Sequence, residues 1–499
     1  MKSIFHNEVR IHILVLAVFL FVTAGFPLKA LGAKPTFKSY NLESQYEEVR
    51  FFDFSGDGLD DILVIDEPNL VFFFQDSSRG FAGSPDLVYW PGDKPSVIWA
   101  AKLGNNPGEN ILIMTDDGVS KLAYVDENMP PVRSKIINQR TIIPEKCEGS
   151  PVVFCTMSAR TAKGHPLIFV PTENELKIWK YDNEWRYEYS LPGMPETRIW
   201  GLHEAAGYTK QYWLNMNIGD LNGDGLDDLV ICEENKGNTL FKVYPQSKEG
   251  TFAMKPSQTF EDEWDWRTWI CLKDINKDGK VDIIKNKWLL EPWFIPGTYS
   301  GKVLVQIFMS DSNGNIGEQA AFTFRKNDWI SSMPIVDVDG DGFMDLVLGY
   351  GLFDSRDGVR KSLTSKKLDH NLRVHFYHSK GFSQEPDCQK DITIRLGHFG
   401  MHLTWSRRHY LETQICVDGD FDGDGERDLL VKNQKDKASV YLFISRQKGF
   451  SKKANIQFND IKRVEQFIAD DLNEDGISDL IVIGSMKDAI KVFLSRKNK

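Results

Sequence analysis

Six short segments of the chain carry oxygen-bearing side chains at the same four positions. Each segment has Asp at position 1, Asp, Asn or Ser at position 3, Asp at position 5, Gly at position 6 and Asp at position 9. An apolar run follows in each case. The segments begin at Asp53, Asp220, Asp274, Asp337, Asp420 and Asp471. Alternate carboxylates around a turn-forming glycine are the chemistry of an oxygen cage for a hard divalent cation, and calcium is the ion that such a cage prefers.

The candidate metal ligands are therefore the side chains at positions 1, 3, 5 and 9. They are Asp53, Ser55, Asp57 and Asp61; Asp220, Asn222, Asp224 and Asp228; Asp274, Asn276, Asp278 and Asp282; Asp337, Asp339, Asp341 and Asp345; Asp420, Asp422, Asp424 and Asp428; and Asp471, Asn473, Asp475 and Asp479. Acidic turns without metal are the alternative interpretation. That alternative is unfavourable, because each pair of like charges at ~4 Å costs on the order of 1–4 kcal/mol. We expect up to six calcium ions.

The segments do not have the pattern of an EF-hand. An EF-hand requires a bidentate Glu at position 12 and flanking helices. Position 12 is occupied here by Val64, Ile231, Lys285, Leu348, Val431 and Val482. The residues after position 9 are apolar and rich in β-branched types, which predicts that each loop leads into a β-strand. The invariant glycine at position 6 predicts a positive φ where the loop curls.

The DxDGDGxxDL core of these segments resembles the FG-GAP/VCBS repeat family, which includes the integrin alpha-chain propeller and many secreted bacterial proteins. The resemblance extends over the repeat region, residues 35–499. It implies that calcium is held by positions 1, 3, 5 and 9 and by the main-chain carbonyl at position 7. Those carbonyls belong to Leu59, Leu226, Lys280, Phe343, Glu426 and Ile477. The third copy departs most from the pattern, since Lys280 and Lys285 place cations beside the ligands, and we predict that it is the weakest site.

The order of patterns in each copy predicts one propeller blade. A strand, the acidic loop and two further strands are often followed by a Gly-Phe mark, as at Gly80-Phe81 and Gly449-Phe450. Two more units without acidic loops lie between the first and second copies. One contains SVIWAAKL, NILIM and KLAYV, and the other contains PVVFCTM, LIFV and LKIWKY. We predict an all-β protein, a single β-propeller of eight four-stranded blades over residues 34–499, with seven blades as the alternative.

The two ends of this repeat region predict how the propeller closes. The last unit ends where a fourth strand is due, and the segment beginning Lys34-Pro35-Thr36-Phe37 resembles the start of such a strand. We therefore expect the N-terminal strand to complete the last blade, because closure hides the sheet edges.

Residues 1–33 predict a signal peptide. Lys2 and Arg10 precede an apolar run from Ile13 to Phe26, and small residues follow near Ala33. The run is short for a spanning helix, although an uncleaved anchor is the alternative. We expect a secreted or periplasmic protein, with the cell surface as a further location, and no stable membrane span after cleavage.

Charge and cysteine content limit the partners. The formal net charge of the 499 residues is -11, and without residues 1–33 it is -13. Six calcium ions would bring that charge to -1, so the acidity belongs mainly to the loops. No basic stripe is present, which argues against a nucleic-acid ligand.

Six cysteines occur, and Cys147 and Cys155 are close enough in sequence to form a disulfide. Six small buried hydrophobic side chains are the alternative. We expect a monomer.

Aromatic residues concentrate in segments that we expect at the opposite ends of the blades from the acidic loops. They comprise Trp200, Trp213, Trp264, Trp266, Trp288, Trp293 and Trp405, with His402 beside the last. Tryptophan rings stack on the apolar face of a sugar, while neighbouring polar groups bind its hydroxyls. The alternative is that these rings pack between blades.

Three function classes follow from these patterns. The first, which we favour, is a binding module for a glycan or an extracellular protein. The second is a polysaccharide lyase or hydrolase. A lyase would need a base and a group that neutralises a uronate, and the candidates are His398, His402, Arg407, Arg408 and His409. The third is an adhesion or assembly scaffold. The fold by itself does not distinguish these classes.

Overall fold

A computed structural model describes residues 35–497 of this chain, with internal exceptions. The exceptions are residues 45–47, 67–68, 93–95, 104–106, 125–130, 144–151, 155–156, 193–196, 201–210, 215, 236–237, 264–267, 291–300, 312, 318, 327–329, 333–334, 352–366, 380, 396–414, 435, 462–463 and 485–489. The predicted signal peptide and both cysteines of the possible disulfide lie outside the described residues. Within the described part, no helix is long and apolar enough to cross a membrane.

The described residues form eight four-stranded antiparallel sheets in chain order, which are the blades of a β-propeller. This confirms the eight-blade prediction. Blade 1 comprises Glu48–Phe52, Asp61–Asp66, Asn69–Phe73 and Leu87–Tyr89. Blade 2 comprises Ser96–Ala101, Asn110–Thr115, Gly118–Ala123 and Val132–Asn138. Blade 3 comprises Ser158–Arg160, Pro166–Pro171, Glu175–Asp182 and Glu184–Pro192, and blade 4 comprises Met216–Gly219, Asp228–Asn235, Asn238–Tyr244 and Gln258–Glu263.

Blades 5 to 8 follow the same order of strands. Blade 5 comprises Thr268–Lys273, Asp282–Leu290, Gly301–Phe308 and Phe322–Lys326. Blade 6 has a first strand in two pieces, Ile330–Ser332 and Ile335–Val336, followed by Asp345–Gly351, Lys367–His375 and Cys388–Arg395. Blade 7 comprises Ile415–Cys416, Leu429–Gln434, Lys437–Tyr441 and Ile456–Asn459. Blade 8 comprises Val464–Asp470, Asp479–Gly484, Ile490–Arg496 and Thr36–Leu42.

Three small hairpins accompany the blades. One, Thr197–Trp200 with Gln211–Leu214, lies in the chain between blades 3 and 4. The other two follow the third strands of blades 6 and 7. They are Tyr377–His378 with Gly381–Phe382, and Phe443–Ser445 with Gly449–Phe450. The Gly-Phe marks of these two copies therefore close a hairpin instead of opening the fourth strand.

Burial explains the composition of the strands. The second strand of a blade is buried at almost every residue, as in Asp61–Asp66 and Asp479–Gly484, because neighbouring blades cover both of its faces. The fourth strand lies at the rim and is mostly exposed, as in Val132–Asn138. Aromatic rings fill the space between blades: Phe169 of blade 3 packs against Phe252 of blade 4 with their ring centroids 5.9 Å apart.

The first described strand closes the ring, as the sequence predicts. Thr36–Leu42 pairs antiparallel with Ile490–Arg496, from Thr36 opposite Arg496 to Leu42 opposite Ile490. Phe37 packs edge-on against Phe458 of blade 7, with their ring centroids 4.9 Å apart. The Glu43 N–H donates to the Gly83 carbonyl at 2.8 Å, which ties this strand to blade 1.

One predicted strand belongs to a different blade. We assigned the PVVFCTM run to blade 3, but Val152–Phe154 pairs parallel with Ser96–Ile98, the first strand of blade 2. Blade 3 begins instead at the short strand Ser158–Arg160. An apolar run predicts a buried strand without specifying its partner. Here the run covers the free edge of the first strand of blade 2.

Removal of the closing strand should destabilise the whole ring. A chain that begins at residue 47 is expected to melt well below one that begins at residue 34, because it exposes the edge of Ile490–Arg496. Thermal melting followed by circular dichroism measures the difference. Equal melting temperatures would show that this strand does not close the fold.

Candidate metal-binding loops

The six acidic loops occupy equivalent places in six consecutive blades. Each lies between the first and second strands, in blades 4, 5, 6, 7, 8 and 1. We number them loop 1 to loop 6 in chain order, so loop 1 begins at Asp53 and loop 6 at Asp471. Loop 1 belongs to blade 1, and loops 2 to 6 belong to blades 4 to 8. Blades 2 and 3 lack the pattern. The loops therefore form one uninterrupted arc at one end of the propeller.

A buried aspartate at position 9 anchors every loop. Its side chain is almost inaccessible, at 1% exposure for Asp61 and 0% for Asp345. One carboxylate oxygen accepts the N–H of position 2 at 2.8–3.1 Å. The other accepts an N–H near the end of the third strand at 2.6–3.0 Å. One side chain thus joins the loop and the second and third strands in all six blades.

The aspartate at position 1 organises the curl of each loop. Its carboxylate accepts the N–H groups of positions 5 and 6 at 2.7–3.2 Å in all six loops. The glycine at position 6 has φ between 81° and 89°, which confirms the predicted positive φ.

Sequence reasoning missed a second left-handed residue at position 4. Four copies have glycine there, with φ between 70° and 84°, whereas Lys277 and Glu474 adopt φ of 55° at the same position. Neighbouring loops also approach closely at this point. A Cβ on Gly340 would lie 2.7 Å from the carbonyl oxygen of Gly425 in the next loop. The glycine at position 4 in four of the six copies was the sequence signal that could have predicted this positive φ.

Hydrogen bonds between main chains join the loops of neighbouring blades. The N–H of position 8 donates to the carbonyl of position 1 or 2 in the preceding blade, at 2.7–3.2 Å. The pairs are Asp60 to Leu472, Val281 to Asp220, Met344 to Ile275, Arg427 to Val338 and Ser478 to Asp420. Glu109 of blade 2 makes the same bond to Asp53, although its blade has no acidic loop.

The oxygens at position 3 are suited to a cation. Ser55 Oγ and Asp339 Oδ1 are buried and accept no hydrogen bond within the described part of the chain. Two loops bring three carboxylates together, with ligand oxygens within 4.8 Å of one another: Asp337, Asp339 and Asp345, and Asp420, Asp422 and Asp428. The other four loops have Ser or Asn at position 3 and offer a neutral oxygen there. This donor set fits calcium.

Burial raises the pKa of the position-9 aspartates. The pKa rises to about 8 for Asp428, about 7 for Asp61, Asp345 and Asp479, and about 6 for Asp228 and Asp282. Desolvation of the carboxylate is the main cause, and the nearby carboxylates of the same loop add to it. Hydrogen bonds from the main chain oppose the rise. A divalent ion would offset the same cost by supplying opposite charge.

A lysine lies among the candidate ligands of loop 3. Lys280 Nζ contacts Asp278 Oδ2 at 2.5 Å, so the position-5 carboxylate already has a cationic partner. The weaker calcium affinity that we expect for this loop stays a prediction.

The structure describes the predicted ligand face only in part. Trp200 and Trp213 lie in the hairpin between blades 3 and 4, two positions apart in register, and nothing is described of their side chains. Trp288 lies within the second strand of blade 5, not in the loop after it as we assigned from sequence. Outside the described residues are Trp264, Trp266, Trp293, His398, His402, Trp405, Arg407, Arg408 and His409. Cys271, Cys388 and Cys416 are free thiols, and Cys232 is buried.

Comparison with known proteins supports the repeat class. Residues 220–284 and 420–497 match the FG-GAP-like repeat, and these ranges contain loops 2, 3, 5 and 6. The protein is therefore a β-propeller that contains FG-GAP-like repeats. The comparison with curated protein sequences returned no match.

One solved structure matches this chain at low similarity. It is the structure of an Agrocybe aegerita lectin, and its description concerns specific recognition of non-reducing terminal N-acetylglucosamine by that lectin. The identity is 13%, the match covers 93% of this chain and 96% of that chain, and the TM-score is 0.41. At that level of similarity, the resemblance carries no argument about the ligand of this protein.

Metal-free protein should become less stable as the pH rises from about 6 to about 8. The folded position-9 aspartates have raised pKa values, to about 8 for Asp428, so the folded state binds more protons than the unfolded state, whose aspartates ionise near 3.8. This stabilisation is complete below pH 3.8 and disappears as the pH passes the folded pKa. Melting temperatures in chelator should fall across this range. Asp428→Asn should flatten the slope, whereas Asp182→Asn, at an exposed position of blade 3, should not. A pH-independent melting temperature would contradict the prediction.

Proposed function

We propose that this protein is a secreted, calcium-stabilised β-propeller that acts as a carbohydrate-binding module. The observation that carries the calcium part is the common construction of the six loops. Each places a buried carboxylate at position 9, and two of the loops bring three carboxylates together with ligand oxygens within 4.8 Å of one another. The calcium ions would lie among positions 1, 3, 5 and 9. They would supply the positive charge that these desolvated carboxylates otherwise lack.

Calcium should raise the melting temperature strongly. At about 1 mM free calcium and a Kd of ~0.1 mM, each site stabilises the fold by about 1.4 kcal/mol, so five or six sites contribute roughly 7–8 kcal/mol. The measurement is thermal melting with calcium and with excess EGTA, together with metal analysis of the protein. Magnesium is the matched control ion, because it demands a smaller octahedral site. Identical melting curves and no bound calcium would refute the assignment.

A groove between blades 6 and 7 supplies described residues for the binding part. It has a volume of about 340 Å³ and is lined by Lys367, Lys390, Asp391, Ile392, Thr393, Val431, Asn433, Tyr441 and Lys452. Lys390 Nζ donates to the Ser451 carbonyl at 2.8 Å and lies 4.3 Å from the centroid of the Tyr441 ring. Asn433 Nδ2 donates to the Tyr441 hydroxyl at 2.9 Å. These contacts hold the ammonium and the phenol in fixed positions.

The chemistry of this groove favours an acidic carbohydrate. Three lysines face one aspartate, so a uronate or sulfate group gains a positive environment. Asn433, Thr393 and Tyr441 offer hydrogen bonds for sugar hydroxyls. The groove also includes the fourth strand of blade 6, which ends at Arg395. The segment that carries His402 and Trp405 follows this strand in the chain and precedes the first strand of blade 7.

A protein partner is the second candidate, and exposed apolar side chains at the rim favour it. Trp90, Val88 and Val132 are 56%, 56% and 53% exposed. They lie on or beside the outer strands of blades 1 and 2. Arg133 donates to the Pro91 carbonyl, which connects these two strands. Large exposed aromatic side chains are typical of protein interfaces.

A glycan array that includes uronate-containing and sulfated chains tests the binding function. Lys390→Ala and Tyr441→Ala should each lower glycan binding about tenfold or more, since one lost charge-assisted hydrogen bond is worth about 1.5–3 kcal/mol. Trp405→Ala should lower it if the adjacent segment stacks on the sugar. Lys448→Ala, at an exposed position in the hairpin of blade 7, is the control and should bind as wild type. Failure of the wild-type protein to bind any glycan would favour the protein-partner function instead.

A further inference from the structure

An arginine from blade 7 reaches into the ligand set of loop 4, which belongs to blade 6. Arg446 lies in the small hairpin formed by Phe443–Ser445 and Gly449–Phe450. Its Nε contacts Asp339 Oδ2 and its Nη2 contacts Asp341 Oδ2. These are positions 3 and 5 of the loop. One guanidinium therefore bridges two of the four side chains that would coordinate a metal.

Packing from both blades fixes the guanidinium over the loop. Its central carbon lies 5.1 Å from the ring centroid of Phe376, which follows the third strand of blade 6. Phe376 in turn packs edge-on against Phe443 of the same hairpin, with centroids 5.9 Å apart. The Asp339 side chain is 9% exposed and the Arg446 side chain is 37% exposed, so the ion pair is shielded from solvent on the aspartate side. Contact with an aromatic face adds a cation–π attraction to this ion pair.

A second cation approaches loop 4 from the other neighbouring blade. Lys277, at position 4 of loop 3, donates from Nζ to the main-chain carbonyl of Asp341 at 2.9 Å. Loop 4 thus receives positive charge from blade 5 and from blade 7. Both contacts involve Asp341, one through its carbonyl and one through its carboxylate.

We propose that Arg446 takes the place of a calcium ion in loop 4, so that the protein holds at most five calcium ions. This inference rests on the proposed calcium function. Calcium requires six to eight oxygen ligands at roughly 2.3–2.6 Å, and the guanidinium already occupies Oδ2 of both Asp339 and Asp341, two of the four ligand side chains. Arginine stays charged at every physiological pH, so this counter-charge does not depend on pH.

Loop 5 provides the internal comparison, because it has the same four aspartates at positions 1, 3, 5 and 9. On composition alone the two loops would be equally good calcium sites. Arg446 distinguishes loop 4 from loop 5, and it lies 105 residues after Asp341 in the chain. The sequence of the loop therefore does not predict this contact.

Calcium stoichiometry of the full-length protein tests the inference. Metal analysis after equilibrium dialysis should give one more calcium ion for Arg446→Gln than for wild type. Lys448→Gln, in the same hairpin, is the matched control and should bind the wild-type number. In chelator, Arg446→Gln should melt below wild type, because the bridge between blades is lost, and calcium should recover part of that difference.

A second variant keeps the test decisive if Arg446→Gln folds poorly. Asp339→Asn should leave the calcium count of the otherwise wild-type protein unchanged, and loss of one ion would overturn the inference. Six ions in wild type, or equal counts in wild type and Arg446→Gln, would also overturn it while leaving the calcium function intact. No bound calcium in any variant would instead refute the proposed function, and this inference with it.

Discussion

The buried carboxylate at position 9 is the interaction on which the rest of the structure depends. In six blades it accepts one N–H from the loop and another from the end of the third strand. Its own backbone begins the second strand. A single side chain therefore sets the register of three strands. The energetic consequence is a desolvated charge, visible in the pKa of Asp428, which burial raises to about 8. We propose that a counter-charge at the loop offsets that cost, as a calcium ion or, in loop 4, as Arg446, which contacts Asp339 and Asp341.

The loops also bind neighbouring blades to one another. In five of the six loops the position-8 N–H donates to the loop of the preceding blade, so the arc from blade 4 through blade 8 to blade 1 is continuous. Blade 2 extends the arc through Glu109 and carries Asn110 where the other blades have the buried aspartate. The amide carries no charge, and its Nδ2 is buried without a hydrogen-bond partner among the described residues. Blade 2 can thus dispense with a cation, and its strand edge is covered instead by Val152–Phe154.

Local patterns were sufficient for the features that depend on near neighbours in the chain. The spacing of the acidic loops, the apolar strands that follow and the two acid-free units together predicted eight blades. The opening Thr36-Phe37 predicted closure by the first strand, which pairs with Ile490–Arg496. Local sequence patterns did not predict which strands pair when the partners are far apart in the chain. The run Val152–Phe154 was recognised as a strand but assigned to the wrong blade, because an apolar run does not specify which edge it covers.

The sequence by itself determined the chemistry and the local geometry: oxygen ligands at fixed spacing, a positive φ at Gly425 and its equivalents, and alternation of strand and loop. These follow from residue types within about ten positions of one another, where sterics and hydrogen bonding are local. Only the tertiary structure decided how neighbouring loops share charge. Lys277 and Arg446 reach loop 4 from the two adjacent blades, and their arrival depends on how sheets stack around the ring. These long side chains extend from one blade to the next, and no local sequence pattern encodes the distance between blades. The number of metal ions that the loops could bind is therefore a property of the assembled propeller.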